Sequence, residues 1–114
     1  ETSADRESVF RELTPVISYL EEHFKVDVSM KDMAALAGLS STQFNLRFRQ
    51  LLRMTPTAYL MTMRIDLAQQ LLTGTDQSIS EIGVEVGFYD QSQFTKIFKK
   101  HAGITPKAYR QRFR

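Results

Sequence analysis

The feature that most constrains the fold of this chain is an internal repeat. Two segments of the 114-residue sequence align at an offset of 49 residues and then, after one extra residue near Tyr89, at an offset of 50. The residues that punctuate the two copies match in order, which predicts two versions of one structural unit. The matched pairs include Ser29 and Ser78, Gly38 and Gly87, Phe44 and Phe94, Phe48 and Phe98, Pro56 and Pro106, and Tyr59 and Tyr109.

Each copy is predicted to form a short helix, a tight turn and a longer helix. Ser29 with Asp32, and Ser78 with Glu81, have the spacing of an N-terminal capping box, in which a side-chain oxygen accepts a hydrogen bond from an orphan backbone N–H. A glycine then ends each short helix, because a left-handed residue is needed there. The longer helices are expected to end near residues 52 and 102.

These signals predict an all-α fold of about seven helices in four segments. A helix is expected to start at Thr14-Pro15. Residues 1–13 are expected to be a lead-in from a missing N-terminal region, and Pro15 would break or kink a helix that continued from this lead-in. The first helix-turn-helix unit covers 14–55, a long linker helix opened by Pro56 covers 56–74, and the second unit covers 75–114. No segment alternates apolar and polar residues as strands do.

A helix-turn-helix unit places its second helix, here called the reading helix, in the major groove of DNA. Such a helix needs one apolar side and one polar or basic side. Projected at about 100° per residue, Phe44, Phe48 and Leu51 share one side of the first reading helix, and Phe94, Phe98 and His101 share one side of the second. The opposite sides hold Thr42, Leu46, Arg49 and Arg53 in the first copy, and Ser92, Lys96 and Lys99 in the second.

The formal net charge of +2 hides a segregated distribution. Residues 33–65 contain four arginines and no acid, and residues 91–114 contain seven lysines and arginines and no acid. Between them, residues 66–90 contain five acids and no base. Two acid-free basic segments fit two places where a polyanion binds, although solvated helix faces would produce the same pattern.

Composition excludes several classes of function. The chain has no cysteine, so disulfides, cysteine-bound zinc and thiol catalysis are excluded, and its two histidines do not form a metal site. No catalytic motif is present, so we expect no enzyme activity, no cofactor and no catalytic residue. No apolar run is long enough to span a membrane. The chain begins at Glu1 and not at methionine, which suggests a piece of a longer protein.

The sequences "RIDLAQQLL" and "VGFYDQSQFTKIFKKHAGITPKAYR" resemble the C-terminal DNA-binding domain of the AraC/XylS transcription regulators. The resemblance covers nearly all of residues 14–114. It implies two helix-turn-helix subdomains, with reading helices at 41–52 and 91–102, joined by a long linker helix. It also implies a bacterial, cytoplasmic, nucleoid-associated activator or repressor whose partners are double-stranded DNA, RNA polymerase and a separate effector or dimerisation domain.

Three positions depart from the pattern that this resemblance implies. Gly83 stands where alanine is usual, and its low helix propensity predicts a looser second subdomain. Arg53 stands where a C-cap glycine is common, so the end of the first reading helix is expected to be strained. Leu46 stands where arginine is frequent, so a guanine contact is not carried over to this position.

The predicted DNA-binding residues fall into three groups. They are Ser41, Thr42, Asn45, Leu46 and Arg49 in the first reading helix, Gln91, Ser92, Thr95, Lys96 and Lys99 in the second, and Arg47, Arg64 and Lys107 as phosphate contacts. Leu46 has two interpretations, either contact with a thymine methyl group or packing against the linker helix. The linker helix is expected to be about 27 Å long. This length predicts that one monomer reads two blocks of base pairs that lie about one turn of the DNA duplex apart.

Two other functions fit the same motifs. Similar helix-turn-helix modules accompany a DNA-repair methyl-acceptor protein, whose chemistry needs a cysteine outside this segment. A degenerate domain that docks on RNA polymerase without reading DNA is the other alternative. Loss of the outward basic residues would indicate that second alternative, and those residues are present.

Overall fold

The computed structural model describes residues 3–114, with side chains from Arg6 onward, and this part of the chain is all helical. The prediction of an all-α fold with seven helices is confirmed. The helices are α1 (Ser3–His23), α2 (Met30–Leu36), α3 (Ser41–Leu52), α4 (Pro56–Gly74), α5 (Ile79–Glu85), α6 (Gln91–Ala102) and α7 (Pro106–Phe113).

Helix α1 is longer than predicted. The expectation that a helix starts at Thr14-Pro15 is wrong, because α1 is continuous from Ser3 to His23 with Pro15 inside it. Leu13, Val16 and Leu20 are fully buried and form one apolar stripe that crosses the proline. Pro15 itself is exposed, so water can pair the carbonyl group that loses its N–H partner. The first two residues of the predicted lead-in lie outside the described residues.

The chain divides into two compact units, and the boundary between Leu60 and Met61 lies within α4. The first unit packs α2 and α3 against α1 around a core of its own. That core contains Leu13, Val16, Leu20, Met33, Ala34, Phe44, Phe48 and Leu60. The second unit has a separate core, which contains Ile65, Ala68, Leu72, Ile82, Val86, Phe88, Phe94 and Phe98.

Side-chain caps start the helices of both units where the repeat predicts them. The hydroxyl group of Ser29 accepts a hydrogen bond from the Asp32 N–H (3.0 Å), and that of Ser78 accepts one from the Glu81 N–H (3.0 Å). Ser40 and Gln43 form a complete capping box at the start of α3. These local bonds satisfy backbone N–H groups in the first turn of each of these helices and so fix where the helices begin.

The extra residue of the second repeat, near Tyr89, changes the cap at the start of α6. The Asp90 carboxylate accepts a hydrogen bond from the Gln93 N–H (2.8 Å), as the first repeat predicts. The Gln93 side chain, however, accepts from the N–H of Tyr89 (2.7 Å) and not from that of the N-cap residue. Tyr89 is thereby fixed at the backbone while its side chain is 88% exposed.

Gly83 of α5 lies directly against Phe94 of α6. A Cβ atom at this position would lie 2.8 Å from Cδ2 and 2.9 Å from Cβ and Cγ of Phe94. Glycine therefore permits a contact that a larger residue would obstruct. Helix propensity alone predicts that Gly83 loosens the second unit. The close contact of Gly83 with Phe94, which is fully buried, acts in the opposite direction.

Candidate nucleic-acid interface

Helix α3 has the two sides that a reading helix needs. Phe44 and Phe48 are fully buried and pack edge to face with ring centroids 5.7 Å apart, which confirms their place in the core. The predicted DNA-binding residues lie away from that pair. Ser41, Thr42, Leu46 and Arg49 are exposed, and Asn45 is half-buried.

Leu46 is the most apolar residue on the outer side of α3. Its side chain is 57% exposed, so the interpretation that it packs against the linker helix is wrong. Leu46, Arg49, Gln50 and Arg53 line one shallow depression on the surface. The site prediction omitted Gln50 and Arg53, although their spacing of four and seven residues from Leu46 places them on the same side of a helix.

Helix α6 repeats the arrangement with different side chains. Phe94 and Phe98 are buried edge to face at 5.7 Å. Gln91, Ser92 and Lys96 are exposed and Thr95 is half-buried, and these four predicted residues line a second shallow depression. Lys99 is also exposed. The prediction that His101 is packed inside is wrong, because its side chain is exposed in the last turn of α6.

The three predicted phosphate contacts have different environments. Lys107 is exposed in the first turn of α7. Arg47 is half-buried, and its guanidinium forms an ion pair with Glu12 of α1. Arg64 is only 6% exposed, and its guanidinium lies 5.7 Å from the centroid of the Phe88 ring. Because a phosphate cannot reach so buried a cation, the prediction that Arg64 contacts a phosphate is wrong, and Arg64 belongs to the interior of the second unit.

The outer sides of α3 and α6 have the electrostatics of an anion-binding surface. Neither helix contains an acidic residue. The acids next to them are Asp90, the N-cap of α6, and Glu12 of α1, which pairs with Arg47 on the inner side of α3. Among residues 6–114, no three histidine, aspartate or glutamate side chains are grouped so as to hold a metal ion. In the same part of the chain, no helix is both long enough and apolar enough to cross a membrane.

Comparisons with known proteins agree with this geometry. A family described as a helix-turn-helix domain matches residues 33–112. The chain is 35% identical over 97 residues to the MmsAB operon regulatory protein of Pseudomonas aeruginosa, which covers 85% of this chain and 32% of that protein. This chain spans about a third of the length of the curated relatives it matches.

Solved structures show the same fold. An AraC-type DNA-binding domain protein from Chromobacterium violaceum superposes with a TM-score of 0.80 at 33% identity, covering 89% of this chain and 90% of that one. The DNA-binding domain of AdpA, solved in complex with a target DNA, gives a TM-score of 0.82 at 32% identity, covering 88% and 90%.

Two repeats that each expose an acid-free reading helix define a DNA-binding domain of the double helix-turn-helix class. Within that class, the chain belongs to the AraC-type helix-turn-helix family of transcription regulators. None of these findings favours the repair-enzyme alternative.

Proposed function

We propose that this chain is the DNA-reading part of a bacterial, cytoplasmic transcription regulator and that it inserts α3 and α6 into the major groove. The observation that carries the proposal is the shared construction of the two helices. Each is anchored by a buried phenylalanine pair and presents an outer side with hydrogen-bonding or basic side chains and no acid. Anchored helices present their outward side chains in one fixed register, which base recognition requires.

The outward residues suggest separate roles. Asn45 and Gln91 carry amides that can pair with adenine, and Arg49 and Lys96 carry donors that can pair with guanine. Leu46 has no polar group to leave unpaired and fits a thymine methyl group. Ser41, Thr42, Ser92 and Thr95 supply hydroxyl groups near the start of each helix, and Lys99 and Lys107 supply phosphate contacts.

A selection from random-sequence duplex DNA, followed by binding at several salt concentrations, tests this proposal. Neutralising roughly six to eight phosphates predicts that log K falls with log salt at a slope of about −5 to −7. Lys107→Ala should weaken the selected duplex and an unrelated duplex by the same factor, because a phosphate contact carries no sequence information. Asn45→Ala should instead reduce the preference for the selected duplex. Recovery of no consensus sequence would refute sequence-specific reading.

The rest of the regulator is part of the same proposal. Because these curated relatives are about two and a half times as long as this chain, we propose that a further domain of the full-length protein senses an effector or mediates dimerisation. The DNA-reading part binds as a monomer to an asymmetric site, since its two repeats follow one another in the same chain direction. Bound there, it contacts RNA polymerase. Equilibrium sedimentation of the DNA complex, expected to contain one chain per duplex, tests the monomeric state.

A further inference from the structure

Helix α3 ends in a backbone conformation that favours glycine, yet the residue there is an arginine. Arg53 has φ 60° and ψ 21°, and within residues 3–114 it is the only residue other than glycine with a positive φ. Gly38, Gly87 and Gly103 occupy the other such positions. A side chain in this left-handed region is strained, because Cβ approaches the following carbonyl oxygen.

The second repeat shows that the helix end does not need an arginine. Gly103 caps α6 with φ 84°, and its N–H donates to the carbonyl oxygen of Lys99 at 2.9 Å. The N–H of Arg53 donates to the carbonyl oxygen of Arg49 at the same distance. Since glycine makes the same backbone hydrogen bond without the strain, the cap alone does not explain the side chain of Arg53.

Arg53 borders both the outward residues of the reading helix and, on its other side, Arg6 and Val9 of α1. It is exposed and lines the same depression as Leu46 and Arg49. Among the ion pairs of residues 6–114 none includes Arg53, whereas Arg47 on the inner side of the same helix is paired with Glu12. The nearest segment of sequence, residues 33–65, offers no acid that could pair with it. Among residues 6–114, Arg53 is therefore a cation without an ion-pair partner, beside the proposed DNA-reading surface.

We propose that Arg53 binds a DNA phosphate at the C-terminal end of α3 and that this contact explains an arginine where the backbone favours glycine. A guanidinium suits this role, because its fork of N–H donors can bind two phosphate oxygens at once. The first repeat lacks the cation that the second repeat has at Lys96, since Leu46 occupies that position. Arg53 restores positive charge two turns further along the same side. The inference rests on the proposed function and adds a contact residue to it.

Substitutions at Arg53 separate the phosphate contact from the backbone strain. Arg53→Gly and Arg53→Ala both remove the charge, but only glycine relieves the strain. In both variants we expect the slope of log K against log salt to become shallower by about 0.9. We also expect the affinity at 0.15 M salt to fall about fivefold, equally for the selected duplex and for an unrelated duplex. Arg53→Gly should melt several degrees higher than Arg53→Ala. Arg53→Lys should keep the salt dependence of the unsubstituted chain.

Two outcomes would overturn the inference, and a control distinguishes them from failure of the proposed function. Unchanged affinity and salt dependence in Arg53→Gly would show that Arg53 does not contact DNA. A lowered melting temperature in Arg53→Gly with unchanged DNA binding would show that the arginine only stabilises the helix end through the helix dipole. Lys99→Ala is the matched control on α6. If the unsubstituted chain binds no duplex, the proposed function itself is wrong. If the unsubstituted chain binds and Lys99→Ala lowers the salt slope while Arg53→Gly does not, only the role of Arg53 is wrong.

Discussion

Replacing Gly83 with alanine sets two opposing effects against each other in the second unit. Alanine favours a helix over glycine by about 1 kcal/mol, so propensity alone predicts a more stable protein. The structure predicts the opposite, because the new Cβ would lie 2.8–2.9 Å from three atoms of Phe94. Ordinary carbon–carbon contact is at about 3.5–4.0 Å, so the two groups must separate by more than about 0.5 Å.

Phe94 cannot make that room by rotating its ring. One of the three close atoms is its Cβ, which moves only with the backbone, and the ring is held between Phe88 and Phe98 at centroid distances of 5.4 and 5.7 Å. Helix α6 must therefore shift as a whole. Overpacking of a buried site costs about 1–3 kcal/mol. After the gain in propensity, we expect a net loss of about 1 kcal/mol and a melting temperature roughly 3–6 °C lower.

Gly74 provides the matched control. It ends α4 without a positive φ, and a Cβ there would meet no atom within 4 Å. Gly74→Ala should therefore be neutral or stabilise the chain by up to about 1 kcal/mol. Urea unfolding followed by circular dichroism measures both free energies. If Gly83→Ala is as stable as Gly74→Ala, the close contact with Phe94 does not limit the packing of α6, and the argument is refuted.

Three further predictions concern the reading helix, the first core and the binding site. Leu46→Ala should change the free energy of unfolding by less than about 0.5 kcal/mol and remove the preference for one A·T pair in competition assays; a destabilised variant with unchanged preference would contradict this. Burial, and secondly the charge of Glu21, raise the pKa of Tyr59 above its ordinary value of 10.0. Below about pH 10 the hydroxyl is neutral in both the folded and the unfolded chain, and its contribution to stability is fully present. This contribution is lost as pH rises through the folded-state pKa. Tyr59→Phe should therefore lose less stability than the unsubstituted chain between about pH 9 and 11 in urea titrations, and equal losses would count against this. Inserting five base pairs between the two blocks of a selected site turns one block to the opposite face of the duplex. It should cost about 2–4 kcal/mol of affinity in gel-shift titrations, whereas unchanged affinity would mean that a single reading helix binds.

Local signals in the sequence were sufficient to predict the caps and the buried side of each reading helix. The bond between Ser40 and Gln43 spans three residues, and Phe44 and Phe48 lie one turn apart, so spacing alone identifies both. Such interactions depend on the geometry of one helix and not on the rest of the fold.

The predictions that failed depended on residues distant in sequence. Arg64 looks like a surface cation until Phe88, in the turn between α5 and α6, is known to lie against it. Helix α1 passes through Pro15 because its apolar stripe packs on other helices, and that packing outweighs the lost hydrogen bond. The candidate interface was predictable where exposure follows from helical periodicity, but the predicted set left out Gln50 and Arg53, which line the same depression as Leu46.

The separation of buried and outward positions in the two repeats has an evolutionary consequence. Changes at the outward positions of α3 and α6 touch neither phenylalanine pair, so most should alter stability by no more than about 0.5 kcal/mol. After duplication, each copy could accumulate such changes without losing its fold. Leu46 and Lys96 occupy equivalent outward positions in two helices that share both buried phenylalanines, and their difference fits this history. A regulator built in this way can acquire a new operator preference one residue at a time.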